Sequence, residues 1–226
     1  MTTEIPPKRH IILLSGHYGS GKDTFADNIG RCISDFDIGR FSFGGALKDV
    51  VVELASMLTT HTLDRSRMDA LEYKETTTVP IYASGGEVVK EYRVRHILQY
   101  VGTDVLRRYL GDNVFAHKTV DDIQRFLCDG GRVVMITDLR FPNELACVRE
   151  AFAKDTNTTV SVVRIVRSLA SASSHVSETL YDAIPYDFLV ENNGTLAQLN
   201  LEAKKLICNL GIPGRVSPQS TNNHQP

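Results

Sequence analysis

The most constraining stretch of the chain is Gly16-His17-Tyr18-Gly19-Ser20-Gly21-Lys22-Asp23-Thr24, which follows directly on the apolar run Ile11-Ile12-Leu13-Leu14-Ser15. Gly16 and Gly21 bracket four residues and Lys22 follows, the spacing of a loop whose backbone N–H groups wrap phosphate oxygens. The glycines alone are a modest signal, and context strengthens them. The apolar run reads as a strand, and Phe25, Ile29 and Ile33 fall at helical spacing beyond Lys22. Strand, loop and helix in that order bring phosphates to a helix N-terminus, where the dipole adds to the backbone donors and Lys22 adds a mobile charge. The plainer alternative is a glycine-rich turn that only starts a helix. One position departs from the common pattern: Asp23 stands where a Ser or Thr hydroxyl usually meets magnesium, and Thr24 comes next. A carboxylate beside phosphates is unfavourable unless magnesium, water or a cationic partner offsets it. Asp23 is therefore read as functional, the alternative being a residue that only complements the helix dipole.

Composition narrows the partners. At 226 residues with 42% hydrophobic content the chain suits one domain with insertions and a substantial core. Its net charge of −2 and lack of a long basic block leave out the electrostatic footprint of a nucleic-acid polymer binder, so phosphate contacts must come from locally placed cations. The apolar run behind Met1 to His10 is too short for a signal peptide or a membrane span, which predicts a soluble, cytoplasmic protein. Cys32, Cys128, Cys147 and Cys208 are widely separated, form no CxxC pair, and read as reduced thiols rather than zinc ligands.

Taken in order, Ile38 to Phe43 reads as a second strand and Ala46 to Leu58 as an amphipathic helix with Lys48 in its first turn. Lys48 is either solvated or a ligand for an anion. The irregular stretch from Thr59 to Glu91, with hairpin signals at 79–83 and 87–92, reads as an excursion from the core. Arg93 to Gly111 reads as one strong helix, its apolar stripe of Ile97, Leu98, Val101, Val105 and Leu106 leaving Arg95, Gln99, Asp104, Arg107 and Arg108 largely on the other side. Guanidinium groups suit phosphate, and a Gln or Asp nearby suits a base edge; a solvated charged face looks similar. Asn113 to Cys128 is a further helix, and Arg132 to Thr137 is the clearest buried strand. Asp138 follows that strand, where a carboxylate faces the ligand crevice of an open parallel sheet, and Arg140 lies two residues on. Pro142 opens another helix, so Asn143 and Glu144 are either site residues or simply its first turn. Val160 to Val166 is another strand with Arg167 at its end, and Ser168 onward has the small-residue composition of a lid or of an ordinary loop. His175 has nothing to place it near a reacting atom. Asp187 to Glu191 is a fifth strand, Asn192-Asn193-Gly194 a turn, Leu196 to Leu210 a helix, and 211–226 a disordered tail.

Strands alternating with helices behind a phosphate loop predict an α/β fold: three layers, a five-stranded parallel sheet flanked by helices, in a single domain over 1–210 with a substrate-binding insertion at about 59–115 and a lid at about 168–185. The combination of Lys22-Asp23-Thr24 in its loop, Ala46-Leu47-Lys48, Arg95 with Leu98-Gln99 and Gly102-Thr103-Asp104, Thr137 to Glu144, His175-Val176-Ser177-Glu178 and Glu191 to Leu196 resembles the deoxynucleoside monophosphate kinases of the kind carried by bacteriophages, within the P-loop nucleoside-monophosphate-kinase fold. The resemblance implies an enzyme that moves the γ-phosphoryl of ATP to a deoxynucleoside monophosphate, in the host cytoplasm if the source is viral. It places Gly16, Gly19, Ser20, Gly21, Lys22, Asp23 and Thr24 on the ATP phosphates and Asn192, Asn193 and Gly194 beside the adenine. Lys48, Arg95, Gln99, Asp104, Arg107, Arg108 and Asp138 would hold the acceptor, with Lys22, Asp23, Arg140 and Arg167 at the transferring group. Mg²⁺ would be held by Asp23, Thr24 and Asp138, directly or through water. No membrane or nucleic-acid partner is implied, and a homodimer is compatible. Phosphomevalonate kinases share the Gly-Ser-Gly-Lys-Asp turn and are the rival in kind; a binding module without turnover is the rival in class.

Overall fold

The structure is a computed structural model that describes residues 7–33, 38–82, 84, 86–168 and 181–214. Residues 169–180 of the expected lid, with the His175-Val176-Ser177-Glu178 motif, and 215–226 of the expected tail lie outside the described residues. In chain order the elements begin with β1 (Arg9–Ser15), α1 (Lys22–Cys32), β2 (Ile38–Phe41) and α2 (Gly45–Leu58). Next come α3 (Leu71–Thr76), β3 (Thr78–Tyr82), β4 (Val88–Arg93), α4 (Val94–Gln99), a π-helical stretch (Tyr100–Arg107), α5 (Arg108–Leu110) and α6 (Val114–Cys128). The chain then runs through β5 (Val133–Leu139), α7 (Pro142–Phe152), β6 (Thr158–Val166), β7 (Phe188–Glu191) and α8 (Leu196–Leu210). Two compact units result: Met1–Arg40 with Phe126–Arg140 and Thr156–Pro226, and Phe41–Arg125 with Phe141–Asp155.

The first unit carries the expected five-stranded parallel sheet, ordered β2-β5-β1-β6-β7. β1 pairs in parallel with β5 on one side and β6 on the other, so the strand order reverses beside β1. In an open α/β sheet that reversal opens a crevice at the carboxyl ends of the strands. Ile12, Leu14, Val133, Met135, Val163 and Ile165 face α1 and α8, whose Phe25, Ala26, Ile29, Leu199, Ala203 and Leu206 complete one buried cluster. The alternate residues Ile11, Leu13, Val134, Ile136 and Val162 are equally buried, as a sheet covered on both faces requires. At roughly 1.5–3 kcal/mol for each large buried side chain, this core is what holds the loop after β1 in place.

Two strands of this sheet, β2 and β5, end away from where the sequence suggests, each for a local reason. β2 stops at Phe41 because Gly45 N–H donates to Ser42 O at 3.1 Å and turns the chain into α2. β5 runs on to Leu139 through a bulge: Leu13 pairs with Ile136 but Ser15 with Leu139, so β5 carries one extra residue there.

The second unit has its own core of Val51, Ala55, Leu63, Met68, Tyr73, Val79 and Val94, with Leu47, Ile97, Leu98 and Val101 packed against it. The expected hairpin is the antiparallel pair β3 and β4. Arg93 pairs with Thr78 as the last residue of β4, so the following helix begins one residue later than its sequence suggests. Its middle, Tyr100–Arg107, is π-helical, which shifts the register of every later side chain relative to a regular helix. Gly111, at φ 99, ends it.

Candidate active site

In the first unit the loop from Gly16 to Gly21 sits between β1 and α1, at the carboxyl edge where the strand order reverses. A Cβ on Gly16 would lie 2.5 Å from both Ile165 O and Ser20 Oγ, so only glycine lets the loop pass this close to β6. Gly21 is left-handed, at φ 99 and ψ 19, and begins α1; a Cβ there would lie 2.3 Å from Asn192 Nδ2. Lys22 folds back on the loop: its Nζ donates to Gly16 O at 2.6 Å and to His17 O at 2.8 Å. The hydroxyls of Ser15 and Ser20 are buried beneath the loop without a hydrogen-bond partner among the described residues.

Asp23 lies in the first turn of α1, with its side chain 79% exposed, and Arg40 is its cationic partner. The guanidinium spans two carboxylates, Asp23 at 2.7 Å and Asp27 at 2.7 Å. Nothing in the sequence links position 40 to position 23; the pairing comes from β2 lying alongside α1. Thr24 is exposed next to Asp23. Asp138 is half-buried within the β5 bulge, a distortion that re-aims side chains at a strand end. Arg140 and Arg167 are exposed just beyond β5 and β6. Asn192 Nδ2 donates to Ser20 O at 2.8 Å, while Asn193 Oδ1 accepts from Ser168 N at 2.7 Å and Ser168 Oγ at 2.9 Å. Gly194 leads into Thr195, which caps α8 in a reciprocal pair with Gln198. The structure thus brings Gly16, Ser20, Gly21, Lys22 and Asn192 into one contact set and joins Asp23 to Arg40 beside it.

In the second unit three of the candidate cations, Lys48, Arg95 and Arg107, are already matched to carboxylates. Lys48 Nζ donates to Asp69 at 2.5 Å. Arg65 bridges Asp49 and, at 3.8 Å, Asp69. Partial burial works against ionisation of Asp69, but the hydrogen bond and charge of Lys48, with Arg65 and Lys74, outweigh it and hold the carboxyl below its ordinary value. Arg95 pairs with Glu75 at 2.7 Å, which also lies 3.8 Å from Arg93. Arg107 is mostly buried, 3.5 Å from the buried Glu144 and stacked over Phe141 and Phe115. Gln99, Asp104 and Arg108 are exposed. Asn143 and Glu144 are engaged within the fold: Asn143 donates to Asn113 at 2.7 Å, and Glu144 accepts from Phe141 N at 3.1 Å. Asp69, Glu75 and the pairing of Glu144 with Arg107 escaped the sequence reading because pairing by tertiary contact leaves no spacing signal.

No group of three or more His, Cys, Asp or Glu suited to a metal ion occurs among the described residues, and all four cysteines are free thiols. Asp23, Thr24 and Asp138 carry carboxylate and hydroxyl oxygens, the donor type that an ion such as Mg²⁺ takes beside water and phosphate oxygens.

A glycine loop at the switch point of a parallel sheet, with a lysine folded into it, gives the chain the architecture of an α/β nucleotide kinase. Residues 53–203 match the family described as deoxynucleotide monophosphate kinase, and the chain belongs to that family of phosphotransferases. The match starts beyond the glycine loop, so the two signals are separate. A relative in Acanthamoeba polyphaga mimivirus, named "Putative deoxynucleotide monophosphate kinase", is 29% identical over 198 residues, covering 83% of this chain and 91% of its own. Among solved structures, a sugar kinase of Janibacter sp. HTCC2649 aligns at 11% identity and a TM-score of 0.44, over 91% of this chain and 96% of that one. The APS kinase CysC of Mycobacterium tuberculosis aligns at 16% and 0.41, over 91% and 99%. Likeness at that level carries no argument about this chain. No helix among the described residues is long and apolar enough to cross a membrane.

Proposed function

We propose that the protein transfers the γ-phosphoryl group of ATP to a deoxynucleoside monophosphate, giving the diphosphate by in-line displacement. The carrying observation is Lys22 folded against the carbonyls of Gly16 and His17, a cation held at the mouth of a left-handed glycine loop. Phosphoryl transfer needs positioning and charge neutralisation far more than a base, and these residues supply both. The loop from Gly16 to Thr24 receives the ATP phosphates, Lys22 leaves its carbonyl partners for phosphate oxygens, and Arg140 and Arg167 neutralise the group in transit. Asp23, Thr24 and Asp138 would hold Mg²⁺, directly or through water, and the ion would supply further charge neutralisation. Asp23 enters this chemistry already balanced by Arg40. The acceptor is held by residues of the second unit: Lys48, Arg95, Gln99, Asp104, Arg107 and Arg108.

The whole of 1–210 then works as one kinase domain, with 59–115 binding the acceptor and 168–185 closing as a lid, in a cytoplasmic homodimer. The test is an acceptor screen with ATP and Mg²⁺, in which production of ADP and a dNDP from at least one dNMP is expected. Phosphorylation of phosphomevalonate and of no dNMP would overturn the assignment, as would ATP binding without ADP production in any acceptor mixture.

A further inference from the structure

We propose that Asn192 and Asn193 are positioning residues for phosphoryl transfer: from a single turn, Asn192 sets the Ser20–Gly21 peptide of the donor loop and Asn193 sets the backbone that follows Arg167. This rests on the donor reading of the loop given above.

The turn is placed by the sheet. β7 pairs with β6 so that Glu191 lies opposite Val166, and Asn192 N extends the ladder by donating to Val166 O at 2.8 Å. Asn192 therefore emerges at the carboxyl edge beside Arg167, one strand away from the glycine loop. Its Nδ2 crosses to Ser20 O, a partly buried hydrogen bond. Because C=O and N–H point oppositely across a planar trans peptide, pinning the Ser20 carbonyl toward Asn192 turns the Gly21 N–H to the far side of that peptide. Backbone N–H groups are what such a loop offers to phosphate. The absent side chain of Gly21 is what makes room for the carboxamide.

Asn193 uses the opposite end of the same functional group. Its Oδ1 accepts from both the N–H and the hydroxyl of Ser168, fixing the peptide that follows Arg167. Below both, Thr195 and Gln198 exchange hydrogen bonds and seat the turn on α8. Donor loop and Arg167 are thus referred to one rigid base, Asn192 acting as a donor and Asn193 as an acceptor. Neither side chain needs to touch the nucleotide.

The division of roles makes the test asymmetric. An aspartate can accept but, when ionised, cannot donate. In the full chain, Asn192→Asp and Asn192→Ala are each expected to lower kcat/KM for ATP by roughly tenfold, the scale of one neutral hydrogen bond. Asn193→Asp, which keeps the acceptor, should lose less activity than Asn193→Ala, and Asn193→Ala should lower kcat more than it raises KM for ATP. A purely structural loss would also not be reversed by acid. The Asn192→Asp rate, taken relative to wild type, should recover as pH falls from about 8 to about 5.5, because protonation restores a donor, while Asn192→Ala should stay flat. Thermal melts accompany each variant so that loss of fold is seen directly. Wild-type rates for Asn192→Asp, or equal and pH-independent losses for it and Asn192→Ala, overturn the inference. Lys22→Ala is the control for the reading beneath it. If that variant turns over normally, the donor reading falls and this inference with it; if it is inactive while Asn192→Asp is normal, only the inference falls.

Discussion

The two units treat positive charge differently. In the first, Lys22 is held by backbone carbonyls, and the loop around it is shaped by glycines and by a carboxamide from the next turn. In the second, Lys48, Arg95 and Arg107 are each held by a carboxylate: Asp69, Glu75 and Glu144. A cation tethered by neutral carbonyls can exchange them for phosphate oxygens at little electrostatic cost. A cation tethered by a carboxylate must break an ion pair first, or keep it and serve the fold. On the proposed reading, backbone geometry prepares the donor loop, whereas charge pairing holds the cations assigned to the acceptor.

The sharpest way to break this contrast is at Lys22. Lys22→Ala is expected to lower kcat by about 10² to 10³ with an unchanged melting temperature, since the charge serves the transferring group and not the core. A loss of stability with normal turnover would mean that Lys22 serves the fold rather than the transferring group. The converse case is Glu144→Ala. It strands Arg107 in a mostly buried site and frees Phe141 N, and should cost about 3 kcal/mol in a denaturant titration. A melt indistinguishable from wild type would show that Arg107 is not anchored by the pair and is available to a ligand.

Asp23 is where the two styles meet, because a loop residue of the first unit is here held by a charged partner, Arg40. Asp23→Ser restores the commoner pattern, yet it leaves Arg40 with Asp27 alone, so a fall in kcat/KM of roughly fivefold is expected, the scale of one exposed ion pair. If the pair is the cause, Arg40→Ala should add little to a chain already carrying that change. An unchanged rate in Asp23→Ser would make Asp23 a helix-start residue only.

The same contrast explains what the sequence could disclose. The loop, the parallel sheet implied by alternating strands and helices, α1 and α8 were legible because glycine spacing and apolar periodicity are local properties. The role of Asp23 was half legible: its unusual chemistry demanded a partner, but Arg40 lies on a strand that reaches it only through the fold. The helix beyond Arg93 was legible as a helix, whereas its π-helical middle was not, since the shift to i→i+5 bonding comes from packing rather than from composition. The β5 bulge at Thr137 and Asp138 was likewise hidden, because register is a property of two strands and not of one.

The smallest expected effect bears on the second unit's charge pairing. Asp69 is an exposed carboxylate beside Lys48, with its carboxyl held below the ordinary value. A depressed folded-state value means that the group contributes stability above its unfolded value, and that this contribution is lost as pH falls through the folded one. Between about pH 7 and 5 the Lys48 pair should therefore be intact, with its contribution fading only below about pH 4. Solvent screening keeps the whole amount under about 1 kcal/mol. Asp69→Asn should accordingly lower the denaturation midpoint slightly at neutral pH and converge with wild type in acid. Curves that stay parallel down to about pH 2 would show that the carboxylate's charge contributes nothing there and that Lys48 is not anchored by the pair.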